Sequence, residues 1–260
     1  MFRILRNRLF QSPTTTPPHS WLAVFALACL LPIGSAWSLE QLVNEKASPP
    51  NIVFFLVDDL GWRDLGCYGS PLYETPHLDR LAEKGVRFTD AYAACHVCSP
   101  TRASILTGKY PARLGLTDWI PGRRNFDFQK LFNVENLQQL PLSEITLAET
   151  LREHGYATGH FGKWHLGEDP AGPLQQGFDV QLPRWNKGWP KAGYHAPFKL
   201  NNLEDRPGDY LTDRLTDEAL KFIERNRERP FFLYLSHFAV HDPIQGRSDL
   251  VNKYLSLIHI

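Results

Sequence analysis

The chain predicts an α/β fold with a largely parallel sheet flanked by helices. Asn51–Val57 (NIVFFLV) and Phe231–Leu235 (FFLYL) are unbroken apolar runs of the kind that forms strands buried on both faces. Helical segments with recognisable start and stop signals stand between such runs. Of 260 residues, 43% are hydrophobic and 22% charged, the balance of a globular protein long enough to bury a core. Formal net charge is zero, so no basic excess points to nucleic acid, and no repeat or low-complexity tract is present.

The N-terminus reads as a secretory signal. Arg3, Arg6 and Arg8 form a basic start, Trp21–Ile33 is an apolar run of 13 residues, and Gly34-Ser35-Ala36 offers small residues for cleavage after Ala36. The run is too short for a comfortable bilayer span, so no stable membrane span is expected. Residues 1–36 are therefore read as a signal peptide, 37–50 as a linker, and the protein as exported to a periplasmic, secreted or lysosome-like compartment. Removing residues 1–36 deletes three arginines and no acid, which leaves a net charge of −3. It also removes Cys29 and leaves Cys67, Cys95 and Cys98, an odd number that marks one special thiol in an exported protein.

The elements follow in order. The strand at Asn51–Val57 ends abruptly at Asp58-Asp59. Thr75 caps a helix that opens on Pro76, repeats Leu78 and Leu81 and stops at Gly85. Val86–Ala93 is the next strand expected. Ser99 is a good N-cap, Pro100 suits the first helical position, and Gly108 closes that helix after about two turns. Thr146-x-x-Glu149 is a capping box that opens a helix ending at Gly155. Tyr156–Phe161 is a short strand. Leu211–Asn226 is an amphipathic helix with Leu215, Ala219, Leu220 and Ile223 on its apolar face, and Phe231–Leu235 is the last strand.

Polar clusters follow these strands. Sites in open α/β sheets form outside the carboxyl ends of strands, so Asp58-Asp59, Cys98–Arg102, Lys163–His165 and His241 are expected to converge. Cys98 and Arg102 are four apart, which sets a guanidinium one turn along from a reactive side chain at a positive helix end. That arrangement suits attack on an anionic ester. Cys95-x-x-Cys98 also admits a redox pair or half of a zinc site, but no second ligand pair follows at zinc spacing. Adjacent Asp58 and Asp59 at a strand end favour a hard cation between them, Ca²⁺ or Mg²⁺, over a solvated turn. Lys163 and His165 alternate about Trp164, so both can face an anionic ester and manage protons. His237 is read as structural or supporting, and His154, His160 and His195 as structural.

Cys98-Ser99-Pro100-Thr101-Arg102, followed by ASILTGKYPAR, resembles the sulfatase signature C-x-P-S/T-R. Gly155-Tyr156-Ala157-Thr158 with Gly162-Lys163-Trp164-His165 resembles the second sulfatase signature, and VDDLGWRDLGCYG resembles the family's N-terminal metal motif. The resemblance covers about 51–254 and implies an alkaline-phosphatase-like sheet, represented by the N-terminal part of the catalytic domain. It implies that Cys98 is oxidised by a formylglycine-generating enzyme to formylglycine, whose hydrate attacks sulfur. It further implies that Asp58, Asp59 and the modified Cys98 bind calcium, with magnesium the alternative. By the same resemblance Arg102 and Lys163 stabilise the transferring group. His165 is the proton acceptor, and His241, two residues before Pro243, helps the leaving alcohol depart. The family's further Asp–Asn metal pair and second catalytic lysine fall beyond the His241 region, so the chain is expected to be C-terminally truncated, with 255–260 (LSLIHI) an atypical tail.

The implied activity is hydrolysis of a sulfate ester, a sulfated carbohydrate in preference or an aryl sulfate. Two alternatives are a phosphoester or phosphonate hydrolase of the same superfamily and an inactive chain that binds sulfated ligands. Trp185, Trp189 and Tyr194 could stack on a sugar or serve loop packing. Arg123-Arg124 and Lys130 could meet a polyanionic glycan or remain solvated.

Overall fold

Four strands form one parallel sheet in the order β1-β4-β2-β3, with β1 Ile52–Val57, β2 Ala157–Gly162, β3 Val180–Leu182 and β4 Phe231–His237. These come from a computed structural model that describes residues 49–256. The expected signal peptide, most of the linker and the last four residues lie outside the described residues. The helices are α1 (Pro76–Lys84), α2 (Cys98–Thr107), α3 (Pro111–Leu114), α4 (Leu147–Glu153), α5 (Leu211–Arg225) and α6 (Ser248–Leu255). No described helix is long and apolar enough to cross a membrane.

Strand β4 explains why an unbroken apolar run is needed. Phe231, Leu233 and Leu235 point to one face, where they meet Leu211, Leu215, Ala219 and Phe222 of α5. Phe232 and Tyr234 point to the other, into a cluster with Ala103 and Leu106 of α2 and Ala148 of α4. Ser236 continues the even series and therefore faces α2. The expected capping box opens α4: the Glu149 N–H donates to the Thr146 hydroxyl at 3.1 Å and the Thr146 N–H to the Glu149 carboxylate at 2.8 Å.

Three expectations are corrected. Val86–Ala93 forms no strand; Val86, Phe88 and Tyr92 are 82%, 68% and 88% exposed. No described strand pairs with it, and side-chain bonds from Tyr68 to the Phe88 carbonyl and from Arg87 to the Cys67 carbonyl hold it instead. On α5, Leu220 faces solvent and Phe222 takes its place in the core, because 211, 215, 219 and 222 share one face. Thr75 precedes α1 but caps no helical N–H. Its hydroxyl donates to Asp79 at 2.9 Å and accepts from the Gly66 N–H at 2.8 Å.

Strand register positions the site. Val57 lies opposite His237 and Gly162 opposite Ser236, so β1, β4 and β2 end level with one another. Asp58 and Lys163, the next residues on β1 and β2, therefore emerge at the same carboxyl edge. Strand β1 has no neighbour on its outer side among the described residues. Val53 and Phe55 there are 54% and 50% exposed, and Phe55 borders an apolar groove with Leu60, Trp62 and Phe88.

Candidate active site

Helix α2 starts at Cys98, with Val97 extended before it (φ −130°, ψ 164°). Ser99 is not the cap that its residue type predicts. It sits one residue inside the helix, and its hydroxyl accepts the Ile120 N–H at 3.1 Å. Pro100 is tolerated there because first-turn N–H groups have no partner within the helix. Gly108 ends α2 in the left-handed region (φ 67°), its N–H donating to the Ser104 carbonyl at 2.8 Å.

Arg102 is buried one turn beyond Cys98. Its guanidinium donates to the Lys163 carbonyl at 2.7 Å and to the Ser236 hydroxyl, and pairs with the Asp58 carboxylate at 3.3 Å. Its Nε–H has no partner among the described residues, an open donor within the cluster. The Lys163 ammonium donates to the other oxygen of Asp58. Burial pushes the Asp58 carboxyl up, but Arg102, Lys163 and His241 together carry it below its ordinary value. Burial and the Arg102 charge push the Lys163 ammonium down, with Asp58 pulling it back.

His165 Nδ1 lies 3.1 Å from Cys98 Sγ, and Nε2 lies 2.7 Å from the Ile120 carbonyl. A carbonyl only accepts, so Nε2 carries the proton and Nδ1 faces the sulfur as an acceptor. Burial and then the Lys163 charge lower the ring's pKa to about 4, so His165 is neutral at pH 7. Trp164 turns away from the cluster and donates its Nε1–H to the Ala171 carbonyl at 3.0 Å inside the core.

The structure thus brings Asp58, Cys98, Arg102, Lys163 and His165 together, and His241 stands at the margin. His241 Nε2 is 4.0 Å from the Asp59 carboxylate, and Nδ1 donates to the Asp242 carbonyl at 2.9 Å. Asp58, Asp59, Cys98 and Arg102 line one cavity of about 280 Å³. The two aspartates differ: Asp58 is buried, whereas the Asp59 side chain is 60% exposed on a left-handed backbone (φ 60°).

The Sulfatase family model matches residues 50–255. The chain belongs to the sulfatase family. Rat (Rattus norvegicus) N-acetylgalactosamine-6-sulfatase is 38% identical over 254 residues, which cover 90% of this chain and 47% of that enzyme. The crystal structure of Ps i-CgsB in complex with k-i-k-neocarrahexaose is similar with a TM-score of 0.63 and 31% identity, over 80% of this chain and 49% of that one. The structure of BT4656 in complex with its substrate D-glucosamine-2-N,6-O-disulfate is similar with a TM-score of 0.63 and 28% identity, over 80% of this chain and 38% of that one. This sulfatase chain therefore spans about half the length of the curated relatives it matches.

The donor set fits part of a hard-cation shell. Two carboxylates and Cys98 border the same cavity, and oxygen donors select Ca²⁺ or Mg²⁺. No group of three or more His, Cys, Asp or Glu that could hold a metal exists among the described residues. A calcium shell of about six to eight oxygens therefore needs donors besides these.

Sequence reasoning missed Ser236, and for Tyr194 it left sugar stacking and loop packing both open. The Ser236 hydroxyl joins Arg102 to the Lys163 carbonyl, which it reaches at 3.0 Å. The signal was available, since Ser236 is the first polar residue after FFLYL. Tyr194 serves packing rather than sugar stacking: it is buried, and its hydroxyl donates to the His241 carbonyl at 2.8 Å. His160 and His237 are buried and His154 exposed. Cys67, Cys95 and Cys98 are all free.

Proposed function

We propose that the protein hydrolyses sulfate esters, with a formylglycine made from Cys98 by a formylglycine-generating enzyme and with a bound Ca²⁺ or Mg²⁺. The observation that carries this reading is the contact of His165 Nδ1 with Cys98 Sγ beside the Arg102–Asp58–Lys163 cluster. Hydrated formylglycine supplies an oxygen nucleophile for sulfur, and Asp58 and Asp59 would hold the cation that lends it charge. His165 Nδ1 takes a proton at residue 98, and its neutral state at pH 7 keeps it ready to do so. Arg102 and Lys163 set two fixed cations where negative charge grows on the transferring group, with no reorganisation needed at the moment of reaction. As the imidazolium, His241 can deliver its Nε2 proton to the leaving alcohol while its Nδ1–H stays on the Asp242 carbonyl.

The relatives support a sulfated carbohydrate as substrate, with aryl sulfate as a surrogate. Residues 1–36 would direct the protein to an exported compartment. The test is expression of the protein, carried to the length of its relatives, in a host that converts a control sulfatase. The Cys98 peptide should lose the mass difference between cysteine and formylglycine, and 4-nitrophenyl sulfate should be turned over faster than 4-nitrophenyl phosphate. Only intact thiol at position 98, or preference for the phosphate, would sink the proposal.

A further inference from the structure

Beside the Cys98 cavity lies a second one, of about 430 Å³, enclosed by the loop from Thr117 to Gln138. That volume falls in the range that holds small ligands. His96 lines both cavities, so the second opens next to the first. The same loop carries the Ile120 carbonyl that fixes the His165 tautomer.

The wall is built rather than loose. Asn136 Oδ1 accepts the N–H groups of Thr117 and Asp118 at 2.9 and 3.1 Å, and its Nδ2 donates to the Asp118 carbonyl at 3.1 Å. Gln138 donates to the Pro121 carbonyl at 3.0 Å. Arg123 lies over the Trp119 ring at 5.2 Å and pairs with Asp118 at 3.7 Å. What remains to face a ligand is a mixed set: the Asn125 amide nitrogen, the Gln138 amide oxygen, the Glu135 carboxylate and the outer edge of Arg123. The lining offers both donors and acceptors, which suits sugar hydroxyls, each a donor and an acceptor at once. Asp118 and Glu135 outnumber Arg123 by one charge, so the lining repels a second sulfate rather than attracting it. Arg123, for which the sequence leaves a polyanionic glycan and solvent both open, is here balanced by Asp118.

We propose that this cavity is the subsite for the uncharged sugar unit linked to the sulfated one, and that it makes the enzyme prefer an oligosaccharide to a monosaccharide. The proposal rests on the sulfated-carbohydrate reading above.

Calorimetric titration of the 260-residue chain tests it with three probes. These are N-acetylgalactosamine 6-sulfate, the disaccharide that links it to unsulfated galactose, and the same disaccharide with a second sulfate on the galactose. The singly sulfated disaccharide should bind about tenfold tighter than the monosaccharide, and the second sulfate should cancel the gain. Glu135→Gln and Asn125→Ala, both on the exposed wall, should abolish the gain and leave monosaccharide affinity unchanged. Monosaccharide binding with no gain, or a gain untouched by both variants, overturns the subsite alone. Absence of binding by any of the three overturns the subsite together with the reading beneath it.

Discussion

The Lys163 ammonium donates to the Asp58 carboxylate across 105 positions of sequence, and the two side chains are only 0% and 7% exposed. Arg102 holds the other carboxylate oxygen. One buried anion therefore compensates two buried cations, and removing it isolates both. Asp58→Asn should cost about 3–5 kcal/mol, the scale for a buried pair that loses one partner. Adding Lys163→Met should restore part of that loss, because one stranded charge is withdrawn. Urea midpoints at constant slope provide the measurement, and an Asp58→Asn protein as stable as wild type would contradict the pairing.

Stability should fall on mild acidification. Burial holds His160, His165 and His237 neutral, with pKa values lowered to about 3, 4 and 4; nearby cations reinforce this at His160 and His165. An unfolded histidine titrates near 6.5. The native chain thus refuses protons that the unfolded chain accepts between about pH 6.5 and 4. The contribution is full above 6.5 and is lost as pH drops through that window, on the order of a few kcal/mol for each ring. Melting temperatures from pH 7.5 to 4.5 should trace the decline. His237→Phe, which preserves the edge contact with Phe55, should flatten it. A profile equally steep in the variant would remove His237 from the account.

Gly162→Ala should damage both fold and site. Gly162 has φ +113°, a conformation that side chains disfavour, and an added Cβ would overlap the Ser236 carbonyl. That carbonyl accepts the Lys163 N–H at 2.7 Å, so β4 would have to move away from Lys163. The expected loss is about 3–5 kcal/mol. Retention of the wild-type denaturation midpoint would show that the strands have slack to give.

Calcium should raise the melting temperature of the protein carried to the length of its relatives, since a ligand that binds only the native state stabilises it. Asp59→Ala should erase that rise at little cost to stability in chelator, because the Asp59 side chain faces largely outward. An undiminished calcium shift in the variant would return Asp59 to the role of a solvated turn residue.

Much of this could be read in the chain itself. NIVFFLV and FFLYL announced two central strands because burial on both faces leaves no room for polar alternation. Thr146 and Glu149 announced their helix through local chemistry alone. The convergence of Asp58, Lys163 and His165 followed from their places after strands, whereas Cys98 reaches the site on a helix whose expected preceding strand does not form. The misreadings share a cause. Val86–Ala93 has strand-like residues, but a strand needs a partner, which is a non-local fact. Ser99 has the chemistry of a cap, but the distant Ile120 N–H claims its hydroxyl. The contacts of Ser236 and Tyr194 likewise depend on segments some 50 to 130 residues away.

The position of β4 has a consequence for biosynthesis. Strands β1 and β2 do not touch each other; β4 lies between them, and 139 residues separate Cys98 from His237, its last residue. At about 5–20 residues per second, roughly 7 to 28 seconds pass between the synthesis of the cysteine and that of the strand that completes its surroundings. Throughout that interval His165 and Lys163 cannot be locked in place around Cys98. An enzyme that acts on this thiol during that interval meets an open peptide on the nascent chain, and the insertion of β4 then allows His165 to settle 3.1 Å from its sulfur.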